Sequence, residues 1–348
     1  MRIFGREQEW NILENLFNSG KPEFIAIYGR RRVGKTYLVS EKLRGQLSFE
    51  MSGVLNGTQQ EQLLAFYQSL QKFGFEGERP TNWLDCFFSL EKLLETNIHK
   101  KDKCIIFLDE IPCLDTPRSG FIRALDHFWN TWATRREQVK LIVCGSATSW
   151  IIKNLINNRG GLHNRITYQL HLHPFTLLQT EQYLQAQGFR WNRLTIAQLY
   201  MITGGVPFYL SLLNQKESLI QNIDRLFFNK GAQLNGEFGR LFRSLFNNPE
   251  PYLKIIEALS THSEGLTQGE LAEVLHLTVN GHLSEQLTQL VECDFIRSNI
   301  ESFGNDIGQT TNWITSMFDV RAAFEPHSKE YEALSYRIRC GQLFQQNA

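Results

Sequence analysis

No sign of charge is in surplus in this 348-residue sequence: Lys and Arg total 36, and so do Asp and Glu. A formal balance of zero removes any whole-chain electrostatic argument for nucleic acid or an acidic membrane as partner. Long apolar runs are lacking as well. None approaches the roughly 20 residues of a membrane-spanning helix. The opening Met1-Arg2-Ile3-Phe4-Gly5-Arg6-Glu7 is charged within two residues and has no apolar stretch of the kind a secretory signal needs. The six cysteines, Cys86, Cys104, Cys113, Cys144, Cys293 and Cys340, include no C-x-x-C pair, which excludes a zinc ribbon or a thioredoxin-like motif built on neighbouring spacings. Reduced core cysteines in a cytoplasmic protein are the expectation. What is present is a globular composition, 42% hydrophobic and 21% charged, too apolar for a disordered chain. At roughly 100–200 residues per domain, the length predicts two or three domains.

Short apolar runs alternate with longer helical patterns over the first half. Phe24–Tyr28, Cys104–Leu108 and Leu141–Cys144 read as buried strands, with Leu47–Met51 and Tyr168–Leu172 as weaker candidates. Continuous apolar runs of this length fit a parallel sheet covered on both faces. Helices are predicted over Thr58–Lys72, Trp83–Asn97, Gly120–Arg135 and Ser149–Asn157. The βαβα rhythm predicts an α/β core over residues 1–173. From 174 to 249 only helical patterns follow, as expected of an all-α lid. The turn-rich Asn247-Asn248-Pro249-Glu250-Pro251 marks a further boundary.

The strongest local signal is Gly29-Arg30-Arg31-Arg32-Val33-Gly34-Lys35-Thr36, which fits the phosphate-binding pattern G-x-x-x-x-G-K-[ST] between a strand and a helix. Glycines let the backbone wrap a phosphate closely, and N–H groups of residues 32 to 36 at a helix N-terminus favour an anion. Lys35 is placed to reach the β/γ-phosphates and Thr36 to ligate Mg²⁺. The expected nucleotide contacts are Gly29, Arg32, Val33, Gly34, Lys35, Thr36 and Tyr37. About 75 residues on, Ile105-Ile106-Phe107-Leu108-Asp109-Glu110 is an apolar strand ending in two acids. Asp109 fits a Mg²⁺-holding role and Glu110 a general base for water. In an open α/β sheet, ligands sit at the carboxyl ends of strands. Ser146, after the third strand, is therefore placed to sense the γ-phosphate. Thr148 and Ser149 compete for that role, and one of them is a candidate cap for the next helix.

These blocks, in this order, resemble the prokaryotic, archaeal-type P-loop ATPases related to AAA+ and STAND proteins. Phe4-Gly5-Arg6-Glu7 is similar to the family's F-x-G-R-E box, and Tyr28 to Thr36 resembles its Y-G-R-R-R-V-G-K-T. Asp109-Glu110, Cys144-Gly145-Ser146 and Thr203-Gly204-Gly205-Val206-Pro207 follow. The resemblance implies that ATP and Mg²⁺ are bound and that ATP is hydrolysed. It implies that Phe4, Gly5 and Arg6 lie against the adenine. It also implies that Arg165 approaches a γ-phosphate, often that of a neighbouring subunit, and that Pro207 opens a lid helix near the nucleotide. A surface or locally paired Arg165 and a plain Pro-started helix are the alternatives.

The segment 250–303 has the three-helix-plus-strand pattern of a winged helix-turn-helix domain, with Thr267 and Thr278 as helix caps. Such domains often read DNA. Here two basic residues face eight acids between Pro251 and Phe303, and the last helix has no Lys or Arg. Phosphate contacts dominate DNA affinity, so a protein partner or self-association is expected before DNA. The feature that supports DNA is residues 135–165, with six basic residues against Glu137. The tail 304–348 lacks the D…(D/E)-x-K set of the nuclease domains that many relatives carry. Helices are the expectation at Trp313–Phe318 and Tyr331–Tyr336.

Overall fold

The computed structural model describes residues 4–97, 103–157, 161–162, 164–246, 248–262, 265–278, 280–301 and 310–315. The chain divides into two compact units. One comprises Met1–Arg30 with Gly34–Leu172, the other Arg31–Val33 with His173–Ala348.

The first unit is an α/β layer structure. Helix α1 (Glu7–Phe17) leads into β1 (Glu23–Tyr28), followed by α2 (Lys35–Lys42), β2 (Phe49–Ser52), α3 (Gln59–Lys72), α4 (Trp83–Asn97), β3 (Cys104–Asp109) and α5 (Phe121–Thr131). Strand β4 (Val139–Gly145), the short α6 (Thr148–Ile151) and β5 (Tyr168–His171) complete it. The strands form one all-parallel sheet in the order β2-β3-β4-β1-β5. The apolar runs are explained by burial on both faces: every residue of β3 and β4 is buried. On one face Phe24, Phe49, Ile106 and Leu141 join Phe66, Trp83, Phe87, Phe121 and Phe128 in a core dominated by aromatic side chains. Several rings there meet edge-on or tilted, Trp83–Phe121 at 4.8 Å and Phe87–Phe121 at 6.1 Å, while Phe87–Phe128 is stacked at 5.1 Å, arrangements that the ring quadrupole favours when offset. Helices α2 and α6 pack against β4 and β1. Because β4 lies between β1 and β3, the carboxyl ends of three buried strands stand side by side.

In the second unit the described residues from 173 to 246 contain helices only: α7 (Leu177–Ala186), α8 (Arg193–Thr203), α9 (Pro207–Ser211), α10 (Leu219–Ile223) and α11 (Glu237–Leu245). Phe175, Leu199, Val206, Tyr209 and Phe227 centre their core. A second core gathers Leu241 and Phe242 of α11 with residues of α12 (Glu250–Ser260), α13 (Gln268–Val274) and α14 (Gly281–Glu292). Strands β6 (Leu266–Thr267), β7 (Ile296–Glu301) and β8 (Thr310–Thr315) pair antiparallel in the order β6-β8-β7.

Side-chain caps set several helix starts. Thr58, Thr176, Ser218 and Thr267 each accept from the N3 amide, while the N3 Glu or Gln side chain returns to the cap's own N–H; each box satisfies two orphan donors. Four expectations need correction. Thr278 does not cap α14; Asn280 does, accepting from Leu283 N–H, because an Asn nearer the packed residues serves as well. Neither Thr148 nor Ser149 caps α6, whose N-cap is Ala147. Helices α1 and α11 have no counterpart in the sequence reading. The helix expected from Trp313 is replaced by β8, whose Thr-Thr-Asn-Trp-Ile-Thr is rich in β-branched and aromatic residues suited to a pleated ladder. Residues 316–348, with the second expected tail helix, lie outside the described residues. Among the described residues no helix is long and apolar enough to cross a membrane.

Candidate active site

The phosphate loop follows β1. Gly29 has φ +140°, and a Cβ on it would lie 2.3 Å from the Leu172 carbonyl oxygen, so the backbone passes where only glycine fits. Gly34 is glycine for another reason: nothing lies within 4 Å of its would-be Cβ, but it starts α2 in the left-handed region at φ +94°. Lys35, buried at the first position of α2, donates from Nζ to the carbonyls of Gly29 (2.9 Å) and Arg30 (3.0 Å). The loop is thus folded around its own ammonium group, which concentrates positive charge at a helix N-terminus.

Thr36, the next residue, donates from Oγ1 to Asp109 Oδ2 at 3.0 Å. Asp109 closes β3 and is nearly buried. Two further side chains that the sequence reading did not single out reach the same carboxylate. Ser52, at the end of β2, donates to Oδ2 at 3.4 Å, and Cys144, near the end of β4, donates its thiol to Oδ1 at 2.7 Å. Burial first, and then the Asp109 carboxylate, push the Cys144 thiol well above its ordinary range, so it stays protonated and meets the carboxylate as a donor. A hydroxyl and a carboxylate side by side are hard oxygen donors of the kind Mg²⁺ selects. The residues present therefore fit that ion.

Glu110 leaves the strand in the left-handed region, φ 45° and ψ 48°, an uncommon conformation for a residue with a Cβ. Its carboxylate accepts the Ser146 N–H at 3.1 Å and the Ser146 hydroxyl at 2.9–3.0 Å. Ser146, not Thr148 or Ser149, is thus the residue beyond β4 that meets this acid. The third-strand signal and the paired acids come together within one unit.

The remaining candidates are distributed as follows. Arg6 is buried at the N-cap position of α1 and pairs with Glu9 at 3.0 Å; burial lowers its pKa, against the pull of Glu9. Phe4 and Gly5 precede it in a turn, and Tyr37 on α2 is half exposed. Arg165 is exposed on the turn before β5, its N–H donating to Leu162 O at 3.1 Å. In the second unit, Pro207 is the first residue of α9, and Val33 is buried. Arg32 has φ 72° and a guanidinium 4.1 Å from the Phe208 ring centroid and 3.0 Å from the buried Glu237 carboxylate. Its side chain is thus engaged within the second unit. Two of the basic residues in 135–165 are engaged in the fold, whereas Arg135, Lys153 and Arg165 are exposed. Lys140 is 1% exposed and donates to the Ser19 carbonyl (2.8 Å) and hydroxyl (3.0 Å), and Arg136 pairs with Glu95 at 2.6 Å.

Comparison with known proteins bears on the fold and the family. MJECL04, an uncharacterized protein of Methanocaldococcus jannaschii, is 27% identical over 296 residues, 84% of this chain and 61% of that protein. The chain thus spans less than two thirds of that relative's length. Among solved structures, the Walker-type ATPase PABY2304 of Pyrococcus abyssi superposes with a TM-score of 0.60 at 17% identity, covering 92% of this chain and 95% of that one. The ORC2 protein of Aeropyrum pernix, in its ADPNP–ADP complexes, gives 0.51 at 13% identity, covering 98% and 96%. At such identities these likenesses speak to the fold alone. A model of the ATPase domain found predominantly in Archaea matches residues 3–213, more than half of the sequence. With the phosphate loop, paired acids and parallel sheet in place, the chain belongs to that family of archaeal-type P-loop ATPases.

Proposed function

We propose that this chain binds ATP with Mg²⁺ and hydrolyses it to ADP and phosphate, with the bound state driving a conformational switch. The observation that carries the reading is the convergence of three chain segments on two adjacent acids. Thr36 from the phosphate loop meets Asp109, and Ser146 beyond β4 meets Glu110. Lys35 holds the phosphates, and Thr36 with Asp109 holds the metal. When bound, Mg²⁺ neutralises charge between the β- and γ-phosphates. Glu110 takes a proton from the attacking water, and Ser146 both orients Glu110 and stands where a γ-phosphate is read. Arg165, exposed and permanently charged, suits bidentate contact with phosphate, and its exposure supports action across a subunit interface.

The order α12-β6-α13-α14-β7 supports the winged-helix reading of residues 250–303. With no Lys or Arg on α14, that module faces a protein partner or a second copy of the chain rather than DNA. An ATP-regulated DNA-binding protein is the second reading; salt-sensitive binding to duplex DNA at low ionic strength is its test.

The main test is turnover by the purified chain. Lys35→Ala abolishes nucleotide binding, and Glu110→Gln retains binding without turnover. Wild-type turnover in Glu110→Gln removes the base assignment. Mass in solution with and without ATP tests Arg165: a ligand-driven oligomer supports its action in trans, and a permanent monomer refutes it.

A further inference from the structure

The Asp109 carboxylate is divided between two sets of donors. Oδ2 receives the Thr36 and Ser52 hydroxyls, at 3.0 and 3.4 Å, on the side of the phosphate loop. Among the described residues, Oδ1 receives one group, the Cys144 thiol, at 2.7 Å. Cys144 is 0% exposed, and its strand is fixed on both sides by β1 and β3, with Ile27 opposite Cys144 and Leu108 opposite Val143. A side chain so enclosed has few other rotamers and no water to compete for its proton.

From this we infer that Cys144 is a positioning residue for the metal-holding carboxylate. Its thiol anchors Oδ1 and thereby fixes the rotation of the Asp109 side chain, so that Oδ2 is presented toward Thr36. A carboxylate turns about one bond, and anchoring one oxygen aims the other. Without the thiol, Oδ1 is left nearly buried and unpaired, and the group rotates to find another donor. The oxygen meant for Mg²⁺ then loses its fixed direction. Outer partners that orient metal ligands typically change metal affinity about 10–100-fold when removed; a weak thiol donor belongs near the lower limit. The inference rests on the reading of Asp109 as a metal ligand.

The test titrates Mn²⁺ into the ADP-loaded full chain and follows free Mn²⁺ by electron paramagnetic resonance. Mg²⁺ dependence of ATP hydrolysis and ATP affinity in excess EDTA are measured beside it. Cys144→Ala weakens Mn²⁺ affinity about tenfold and raises the Mg²⁺ requirement by the same factor, with metal-free ATP affinity unchanged. Cys144→Ser, which keeps a donor, restores both. In infrared difference spectra of wild type minus Cys144→Ser, the isolated S–H band shifts when Asp109→Asn is introduced into both chains. Wild-type Mn²⁺ affinity in Cys144→Ala overturns the role of the thiol, and so does a loss that Cys144→Ser fails to restore, since packing alone then explains it. Wild-type Mn²⁺ affinity in Asp109→Asn instead removes the metal-ligand reading itself, an outcome distinct from either.

Discussion

Glu110 carries both a charge and a backbone conformation, and the two can be separated by a pair of substitutions. At φ 45° and ψ 48° it sits in the left-handed region, which costs a residue with a Cβ about 1–2 kcal/mol relative to glycine. Glu110→Ala and Glu110→Gly both delete the carboxylate and both lose its bonds to the Ser146 hydroxyl and amide. Their difference therefore isolates the backbone term. Glycine also gains freedom in the unfolded chain, which offsets about 0.4–1 kcal/mol of the advantage. Glu110→Gly is expected to be more stable than Glu110→Ala by about 0.5–1 kcal/mol, and both lose turnover.

Urea unfolding followed by tryptophan fluorescence measures this, since five of the seven tryptophans lie in the first unit. For a unit of this size the gap corresponds to a shift of about 1–4 °C in melting temperature. An Ala variant as stable as the Gly variant, or more so, would refute the claim that the fold holds Glu110 in a strained conformation.

Three further outcomes are expected. Gly29→Ala, with a Cβ 2.3 Å from the Leu172 carbonyl oxygen, destabilises by about 2–3 kcal/mol; Gly34→Ala, strained only by its φ, loses about 1 kcal/mol. Equal losses in urea titrations would contradict the two distinct reasons given for these glycines. Arg32→Ala leaves the buried Glu237 with, among the described residues, the more distant Arg240 at 3.5 Å; a double-mutant cycle with Glu237→Gln should give a coupling above about 1 kcal/mol, and additive losses would refute it. The carboxyl groups of Glu217, bonded to Arg225, and Glu270, bonded to the Thr267 amide and hydroxyl, are held below their ordinary range. Their stabilisation is complete above the unfolded value and is lost as pH falls through the folded one. Urea midpoints for wild type and Glu270→Gln should therefore converge as acid is added; a constant gap down to about pH 3 contradicts this.

The parts of the fold legible in sequence are those whose signal is local. Strands β1, β3 and β4 announce themselves because burial on both faces leaves an unbroken apolar run within each, from Phe24, Cys104 and Leu141, with the buried Glu23, Lys140 and Asp109 only toward the strand ends. Helix α4 begins and ends at Trp83 and Asn97 as read, because its apolar residues keep a helical period throughout. Helix α1 buries only Leu13 and Phe17, too sparse a stripe to stand out. Strand β8 depends on pairing with β7 and β6, which the residues of β8 alone do not reveal. The site divides in the same way. Lys35, Thr36, Asp109, Glu110 and Ser146 each belong to a strand-and-loop segment that a short window contains. Ser52 and Cys144 act on Asp109 across 57 and 35 residues of chain. Their roles exist only once β2 and β4 flank β3.

That neighbourhood also explains why a strained residue belongs at the end of β3. Successive side chains on a strand point to opposite faces, so Asp109 and Glu110 in regular extended backbone would diverge. Cys144 lies in β4 and Ser146 just past its end, yet the thiol reaches one acid and the hydroxyl the other. This arrangement is met where β3 breaks its alternation between 109 and 110. The left-handed turn at Glu110 is that break. It aims the second carboxylate at Ser146 while the first remains on Cys144 and Thr36. The conformational cost at Glu110 and the pairing of two acids with Cys144 and Ser146 are therefore one feature. On this argument Glu110→Gly, which relieves the cost, preserves the Asp109–Cys144 bond and its S–H signature although turnover is gone.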